Sequence, residues 1–465
     1  MNDLSILQSS LRTRLRSLSI GIKLVVICIL ALFMTIPAFF VSDLVHERTQ
    51  RASDVVKEIS SHVGGQQTFL GPTLAVPYTV PPQSATDTAR HGIYLVFPAQ
   101  ASAAIKTTTE ERHRSLFKVP VFQADLKLDA AFDLAGVPSS APQGAGFDWS
   151  RAEIIVGVND ARGALADATL AMDGRTETLT PSRITEDLLL GQEQSERLRL
   201  IAFGAAAGTS VRPDAKFSVT AYLRFSGAQR IALLAYGKST HLSMQGDWPN
   251  PGFDGGFLPV SRNLVPSGFS AEWSVPFIAR GVRAEGPSYS VSGLGSTALG
   301  ASFIEVADPY QSVNRSLKYV PLFLGLVFLS YFTFEVTTGK RVHPAQYVLV
   351  GIAQLIFYLL LLSFAERMGF DWAFLLAGSS TVVLLSTNAG WIFSSRMQGF
   401  RALVVFGLLY ILIYLLLRLE DNALLVGAIS SFLAVASAMY LTRRIDWYRP
   451  LPSAGDAPQP ADKPI

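Results

Sequence analysis

The octapeptide from Ala232 to Ser239, ALLAYGKS, has the outline of a phosphate-binding loop: a small residue, four intervening positions, then Gly237, Lys238 and Ser239. Such loops work because glycine-rich backbone amides and the N-terminus of a following helix surround phosphate oxygens. The intervening positions here hold no glycine, and turn-rich sequence follows where a helix should start. Nucleotide chemistry is therefore not expected. Ser115 and Lys118 have the spacing of a penicillin-recognising serine nucleophile, but the companion Ser-Asp-Asn and Lys-Thr-Gly motifs occur nowhere in the chain. The six histidines, at positions 46, 62, 91, 113, 241 and 343, form no His-x-x-x-His pair, so they do not mark a metalloprotease helix. Cys28 is the single cysteine, which leaves no intrachain disulfide and no cysteine-built zinc site. The residues predict no catalytic centre, no cofactor and no metal.

Two other clusters carry binding chemistry. Residues 246–259, GDWPNPGFDGGFLP, place Trp248, Phe253 and Phe257 among prolines and glycines. Stiff proline segments lose little entropy on binding, so these rings could form a preorganised recognition surface. The competing expectation is a turn-rich connection whose aromatics pack back onto a sheet, the ordinary fate of Trp and Phe. The second cluster is Glu335, Lys340, Arg341, His343, Gln346 and Tyr347. Ionisable groups beside membrane-spanning helices are functional suspects. Glu335 is also within reach of Lys340 or Arg341, a pairing that a structural hairpin explains equally well. Pro344 suits the first turn of a helix, where its missing N–H costs nothing.

The elements that position these residues follow from where the apolar residues lie. Of 465 residues, 49% are hydrophobic and 16% charged, with a mean hydropathy of +0.32. Soluble domains carry about 25% charge, so long apolar segments must be present. The formal charge of +3 is too small for a nucleic-acid binder, which would show concentrated basic stripes. A hydrocarbon core about 30 Å thick needs roughly 20 apolar helical residues. Six runs approach that length: 24–41, 320–336, 347–364, 372–393, 402–417 and 423–441. Tyr319, Tyr347, Trp372, Trp391, Tyr440, Trp447 and Tyr448 flank them where interfacial aromatics belong.

Short loops on one side carry Arg12, Arg14, Arg16, Lys23, Lys340, Arg341, Arg396, Arg401, Arg443, Arg444 and Arg449, against Arg367 and Arg418 on the other. The positive-inside rule then puts both termini in the cytoplasm. The first run is too long for a signal-peptide core and precedes no convincing cleavage site, so it reads as an uncleaved anchor. The expected organisation is a cytoplasmic N-terminus and anchor helix over 1–42, a periplasmic body over 43–318, a five-helix transmembrane bundle over 319–445, and a disordered cytoplasmic tail over 446–465.

Within the body, 43–62 reads as a helical continuation of the anchor, ended by Gly64 and Gly65. Beyond it the period changes to two. Phe217, Val219, Ala221, Leu223 and Phe225 alternate with Ser218, Thr220, Tyr222, Arg224 and Ser226. Residues 124–134 alternate likewise, and 92–98, 153–158 and 303–306 read as further strands. Residues 184–200 read as a helix. The fold class expected is a membrane protein with one anchor helix, a large β-rich, sandwich-like α+β body and a C-terminal helical bundle. Gln354, Asn388, Gly378, Ser379, Ser380 and Gly390 are expected to join helices.

Five blocks, in order, resemble the CreD family of bacterial inner-membrane proteins. They are GGQQTFLGPTLAVPY from Gly64, FKVPVFQADLKL from Phe117, WPNPGFDGGFLPVSRNLVPSGFSAEWSVPFIAR from Trp248, YQSVNRSLKY from Tyr310, and FEVTTGKRVHPAQYVLVGIAQLIFYLLLLS from Phe334. The resemblance implies an envelope protein with one anchor, a periplasmic domain and a helical bundle, linked to cell envelope integrity and a two-component regulatory system. It implies no reaction.

The function expected is therefore non-catalytic support of envelope integrity through binding of an envelope protein, lipid or cell-wall component, with the lipid bilayer as the other partner. The competing expectation is a membrane transporter or lipid-handling protein. The bundle sequence lacks a mid-depth carboxylate or histidine, which weighs against proton-coupled transport. A hydrolase would require converging carboxylates or histidines in a concave site.

Overall fold

The computed structural model describes residues 20–82, 88–114, 117–185, 187–190, 198–208, 211–303, 309–340, 342–418 and 423–443. Contacts divide the chain into two units, Ala52–Val306 and Met1–Arg51 with Ala307–Ile465. Helix α1, Ile20–Val63, belongs partly to each and ends at Gly64 and Gly65, both at positive φ. The expected helical continuation and its glycine stop are both found.

The first unit is built of strands. In chain order they are β1 Gln67–Val80, β2 Arg90–Val96, β3 Gln100–Arg114, β4 Phe117–Asp133, β5 Gly146–Phe147, β6 Glu153–Val158, β7 Thr169–Met172, β8 Arg175–Thr178, β9 Thr180–Pro181 and β10 Asp187–Leu190. There follow β11 Leu198–Ala206, β12 Lys216–Ala228, β13 Arg230–Leu234, β14 Ser239–Gly246, β15 Pro251–Gly255, β16 Ser261–Val265, β17 Gly268–Val275, the short helix α2 Phe277–Arg280, β18 Glu285–Pro287 and β19 Ala298–Phe303.

Two sheets result. The smaller has eight strands in the order β16-β17-β14-β3-β4-β12-β7-β8. The larger has eleven, with the main path β10-β11-β6-β1-β13-β19-β15. Side chains of a strand alternate between faces, so the period-two stretches of β3, β4 and β12 bury one row and expose the other. Strand β1 lies inside the larger sheet and is buried along most of its length, as a near-continuous apolar run requires. Edge-to-face rings join the sheets: Phe69 on β1 meets Phe225 on β12 with centroids 5.3 Å apart, and Phe253 on β15 meets Trp273 on β17 at 5.7 Å. Such pairs contribute about 0.5–1.5 kcal/mol each beyond area burial.

Both ends of this body meet one strand junction. The Ala228 amide donates to the Gly65 carbonyl at 2.7 Å, and the Phe303 amide donates to the Gln229 carbonyl at 2.7 Å. Val56, Ile59 and Val63 of α1 pack on Val119, Val121 and Ala228 beside it, and the Ser226 hydroxyl donates to the Val63 carbonyl.

One expectation needs correction. The described part of 184–200 is not helical: Asp187–Leu190 and Leu198–Ala206 pair antiparallel, with Leu188 opposite Leu200 and both buried. Leucine density alone suits either structure, and cross-strand burial decides it. The last described strand of the body is Ala298–Phe303, buried throughout, and it holds Phe303 of the expected 303–306 strand. Residues 304–306 are outside the described set.

The second unit contains α3 Pro309–Lys318, α4 Val320–Thr338, α5 Pro344–Met368, α6 Phe370–Ile392, α7 Arg396–Arg418 and α8 Ala423–Thr442. Among the described residues, α1 and α4 to α7 are long and apolar enough to cross a membrane, and α8 adds a shorter apolar run. Polar and small residues sit at the helix contacts. Gln354 accepts from the Tyr410 hydroxyl at 3.2 Å, joining α5 to α7, and Asn388 reaches the Tyr331 hydroxyl at 3.4 Å, joining α6 to α4. Gly390 lies against Gly399, and a Cβ at Gly378 would stand 3.2 Å from the Tyr410 ring. Ser379 and Ser380, in contrast, are exposed and bond only the Leu376 carbonyl of their own helix. The expected tail over 446–465 lies outside the described residues.

Candidate functional site

Helix α4 ends because Gly339 adopts a left-handed conformation, φ 68°, and its amide returns to the Glu335 carbonyl. Only glycine takes that conformation without steric cost. Helix α5 starts with Pro344 in its first turn, capped by His343, whose Nδ1 accepts from the Ala345 amide at 3.2 Å. The hairpin thus aims the Glu335 carboxylate at the chain that follows it. The Val342 amide donates to Oε1 at 3.0 Å and the Tyr347 hydroxyl to Oε2 at 3.0 Å.

The cation comes from elsewhere. Lys23, on α1, pairs with Glu335 and also donates to the Val342 carbonyl at 2.8 Å. The side chains of Glu335 and Lys23 are only 1% and 14% exposed. The expected partner, Lys340, instead donates to the Phe393 carbonyl at 2.6 Å, at the end of α6. The correction has a geometric cause: Lys340 lies beyond the glycine turn, while α1 runs alongside and presents its lysine at Glu335's level. Arg341 lies outside the described residues. His343 is exposed and Gln346 half-buried, its amide bonded to the His343 carbonyl. Of the predicted cluster, the structure brings together Glu335 and Tyr347. The decisive member, Lys23, was visible in sequence only as one of several basic residues before the first apolar run.

Among the described residues, Lys23, Val342 and Tyr347 donate to the Glu335 carboxylate, so the group works as a clamp between α1, α4 and α5. Helix α5 also lies close to α1 at Gly351, where a Cβ would stand 2.9 Å from Met34.

In the body, Trp248, Phe253 and Phe257 are half-buried against the core. Trp248 packs edge-on to Phe303 at 6.3 Å, and Phe253 meets Phe269 and Trp273. The Trp273 indole donates to the Phe257 carbonyl at 3.0 Å. Part of this glycine-rich segment is strand: β15 opens with Pro251 at the sheet edge, where a missing N–H is tolerated.

The other motifs acquire ordinary structural roles. Within the octapeptide 232–239, β13 runs into a turn and then into β14, with no helix. The buried Tyr236 hydroxyl donates to the Ser102 and Asp129 carbonyls at 2.9 and 2.8 Å. Ser115 lies outside the described residues, and Lys118 is in β4. Among the described residues, no three of His, Cys, Asp and Glu gather as a metal-ligand set. Elsewhere in the body, Arg280 is buried over the Phe97 ring at 4.2 Å and donates from Nε to the Ala235 carbonyl. Burial pulls its guanidinium down to about 10.

A family model described as "Inner membrane protein CreD" matches residues 19–448. The chain belongs to the CreD family. The Inner membrane protein CreD of Escherichia coli (strain K12) is 29% identical over 429 residues, covering 90% of this chain and 91% of that protein. Membership of the CreD family together with the apolar helices makes this a multi-pass membrane protein, and the family's description names no reaction.

Proposed function

We propose that this CreD-family chain is an inner-membrane protein that supports envelope integrity by binding an envelope component, without catalysis, through a body that faces the periplasm. The observation that carries this reading is the shared junction at Ala228 and Gln229, where the chain both enters and leaves the body. A body inserted at one point between apolar helices suits a domain held on one side of a bilayer. The asymmetry of Lys and Arg between short loops supports the periplasm as that side, with both termini in the cytoplasm. The Escherichia coli relative's name supports the inner membrane. The absence of a reaction is supported by the strand-and-turn role of residues 232–239 and the dispersed histidines.

Reporter fusions test the placement. A periplasm-dependent reporter at residue 150 is expected to be active and one at residue 342 inactive, and the reverse pattern would refute it. Photocrosslinkers at positions 248 and 257 test the aromatic segment in binding, with a discrete adduct expected in cells.

A second reading, lipid handling by the bundle, is favoured by one feature. Leu329, Phe334, Leu408 and Leu412 line an apolar groove of about 330 Å³ between α4 and α7. A photoactivatable phospholipid should label those helices selectively if this reading is right, and uniform labelling of all apolar helices would remove it.

A further inference from the structure

We propose that the solvent face of the eight-stranded sheet binds an acidic oligosaccharide, with Tyr222 as the stacking platform and Lys106 as the anion contact. This rests on the reading above that the body faces the periplasm and binds an envelope component.

The face is ordered by register. Ala104 of β3, Lys127 of β4, Tyr222 of β12 and Thr169 of β7 stand in one row across four strands. Lys106, Asp125 and Arg224 form the next row. Strand β7 pairs with β12 only as far as Tyr222, and beyond it the segment after Ala164 crosses the sheet edge. The Leu165 amide donates to the Arg224 carbonyl at 2.9 Å, which raises Asp167 as a wall. Ala104, with only a methyl group, leaves the floor low. The result is a groove of about 420 Å³ along the sheet.

The lining selects the ligand class. Tyr222 is 47% exposed on a face otherwise made of short polar and charged side chains. An aromatic ring in that setting offers a flat apolar platform, and the side chains around it supply donors and acceptors. A sugar ring has the matching pattern, an apolar C–H face rimmed by hydroxyls. Charge narrows the class further. Arg224 is engaged with Asp125 and Lys127 with Asp129, both at 3.5 Å, whereas Lys106 has no carboxylate partner among the described residues. Lys106, Lys127 and Arg224 outnumber Asp125 and Asp167 along the groove, and this surplus of positive charge favours a sugar chain carrying carboxylates.

The test uses the full-length protein in nanodiscs and calorimetric titration with three chains. Peptide-free cell-wall glycan strands carry lactyl carboxylates, oligogalacturonate carries uronic carboxylates without amino sugars, and chitotetraose is neutral. Saturable binding of either acidic chain is expected, and which of them binds identifies the source. Tyr222→Ala should weaken it about tenfold, which is about 1.4 kcal/mol, and Tyr222→Phe should preserve it. Lys106→Ala should weaken binding severalfold and flatten its salt dependence. Both positions are exposed, so unchanged circular dichroism separates lost binding from lost fold. Failure of both acidic chains to bind, equal binding by Tyr222→Ala, or equal affinity for chitotetraose would overturn the proposal. These titrations are made in vitro, so their outcome is independent of the reporter fusions that test the body's compartment.

Discussion

Lys23 and Glu335 are 312 positions apart and form a buried ion pair that ties the first apolar helix to the hairpin between α4 and α5. Helix α1 is otherwise little covered, with 11% of its apolar stretch buried. The pair and the close approach of Met34 to Gly351 both hold that helix to its neighbours.

Removing one partner leaves a buried charge uncompensated, which costs roughly 3–5 kcal/mol, whereas replacing both by apolar residues is often close to neutral. Lys23→Met and Glu335→Leu should therefore each lower the thermal midpoint in detergent, and the double variant should regain most of the loss. A double-mutant cycle on the purified protein measures this.

The steric tie is testable in the same way. Gly351→Val puts a side chain where Met34 lies, and overpacking of this kind costs about 1–3 kcal/mol. Met34→Ala combined with it should recover part of the loss in the same melting assay.

The body's tyrosines predict its alkaline limit. Burial raises Tyr78 and Tyr94 to about 12, and it raises Tyr236 further. In the unfolded chain these phenols titrate near the usual value of about 10. Their folded-state values are raised, so the stabilisation is fully present below about pH 10 and is lost as pH climbs towards 12. Absorbance at 295 nm should show these groups ionising late, together with loss of structure.

Tyr236 also supplies a local test. Tyr236→Phe removes the hydroxyl shared by the Ser102 and Asp129 carbonyls. An unsatisfied buried polar group costs about 1–3 kcal/mol. The expected result is a lower urea midpoint with an unchanged slope.

What could be read from sequence follows the range of the interactions concerned. Strand β12 was legible because one buried face forces Phe217, Val219 and Ala221 to alternate with Ser218, Thr220 and Tyr222. The apolar helices were legible because a bilayer demands long runs. Residues 184–200 misled because Leu188 and Leu200 are buried by each other's strand, a pairing that local pattern does not encode. Strand β15 was obscured by Pro251, Gly252 and Gly255, residues that an edge strand accepts and a central one does not. Glu335 was identified as a site residue, yet its cation lay in the first helix, and nothing in spacing connects the two.

The junction at Ala228 and Gln229 has a consequence for how such a protein can change. Gly65 and Phe303 flank a single strand, which leaves them about 10 Å apart, two strand spacings. Adjacent packed helices stand 8–10 Å apart. The body is therefore a cassette whose ends fit an ordinary helical hairpin, and a headless chain, or one given a different head, would need only a few bridging residues.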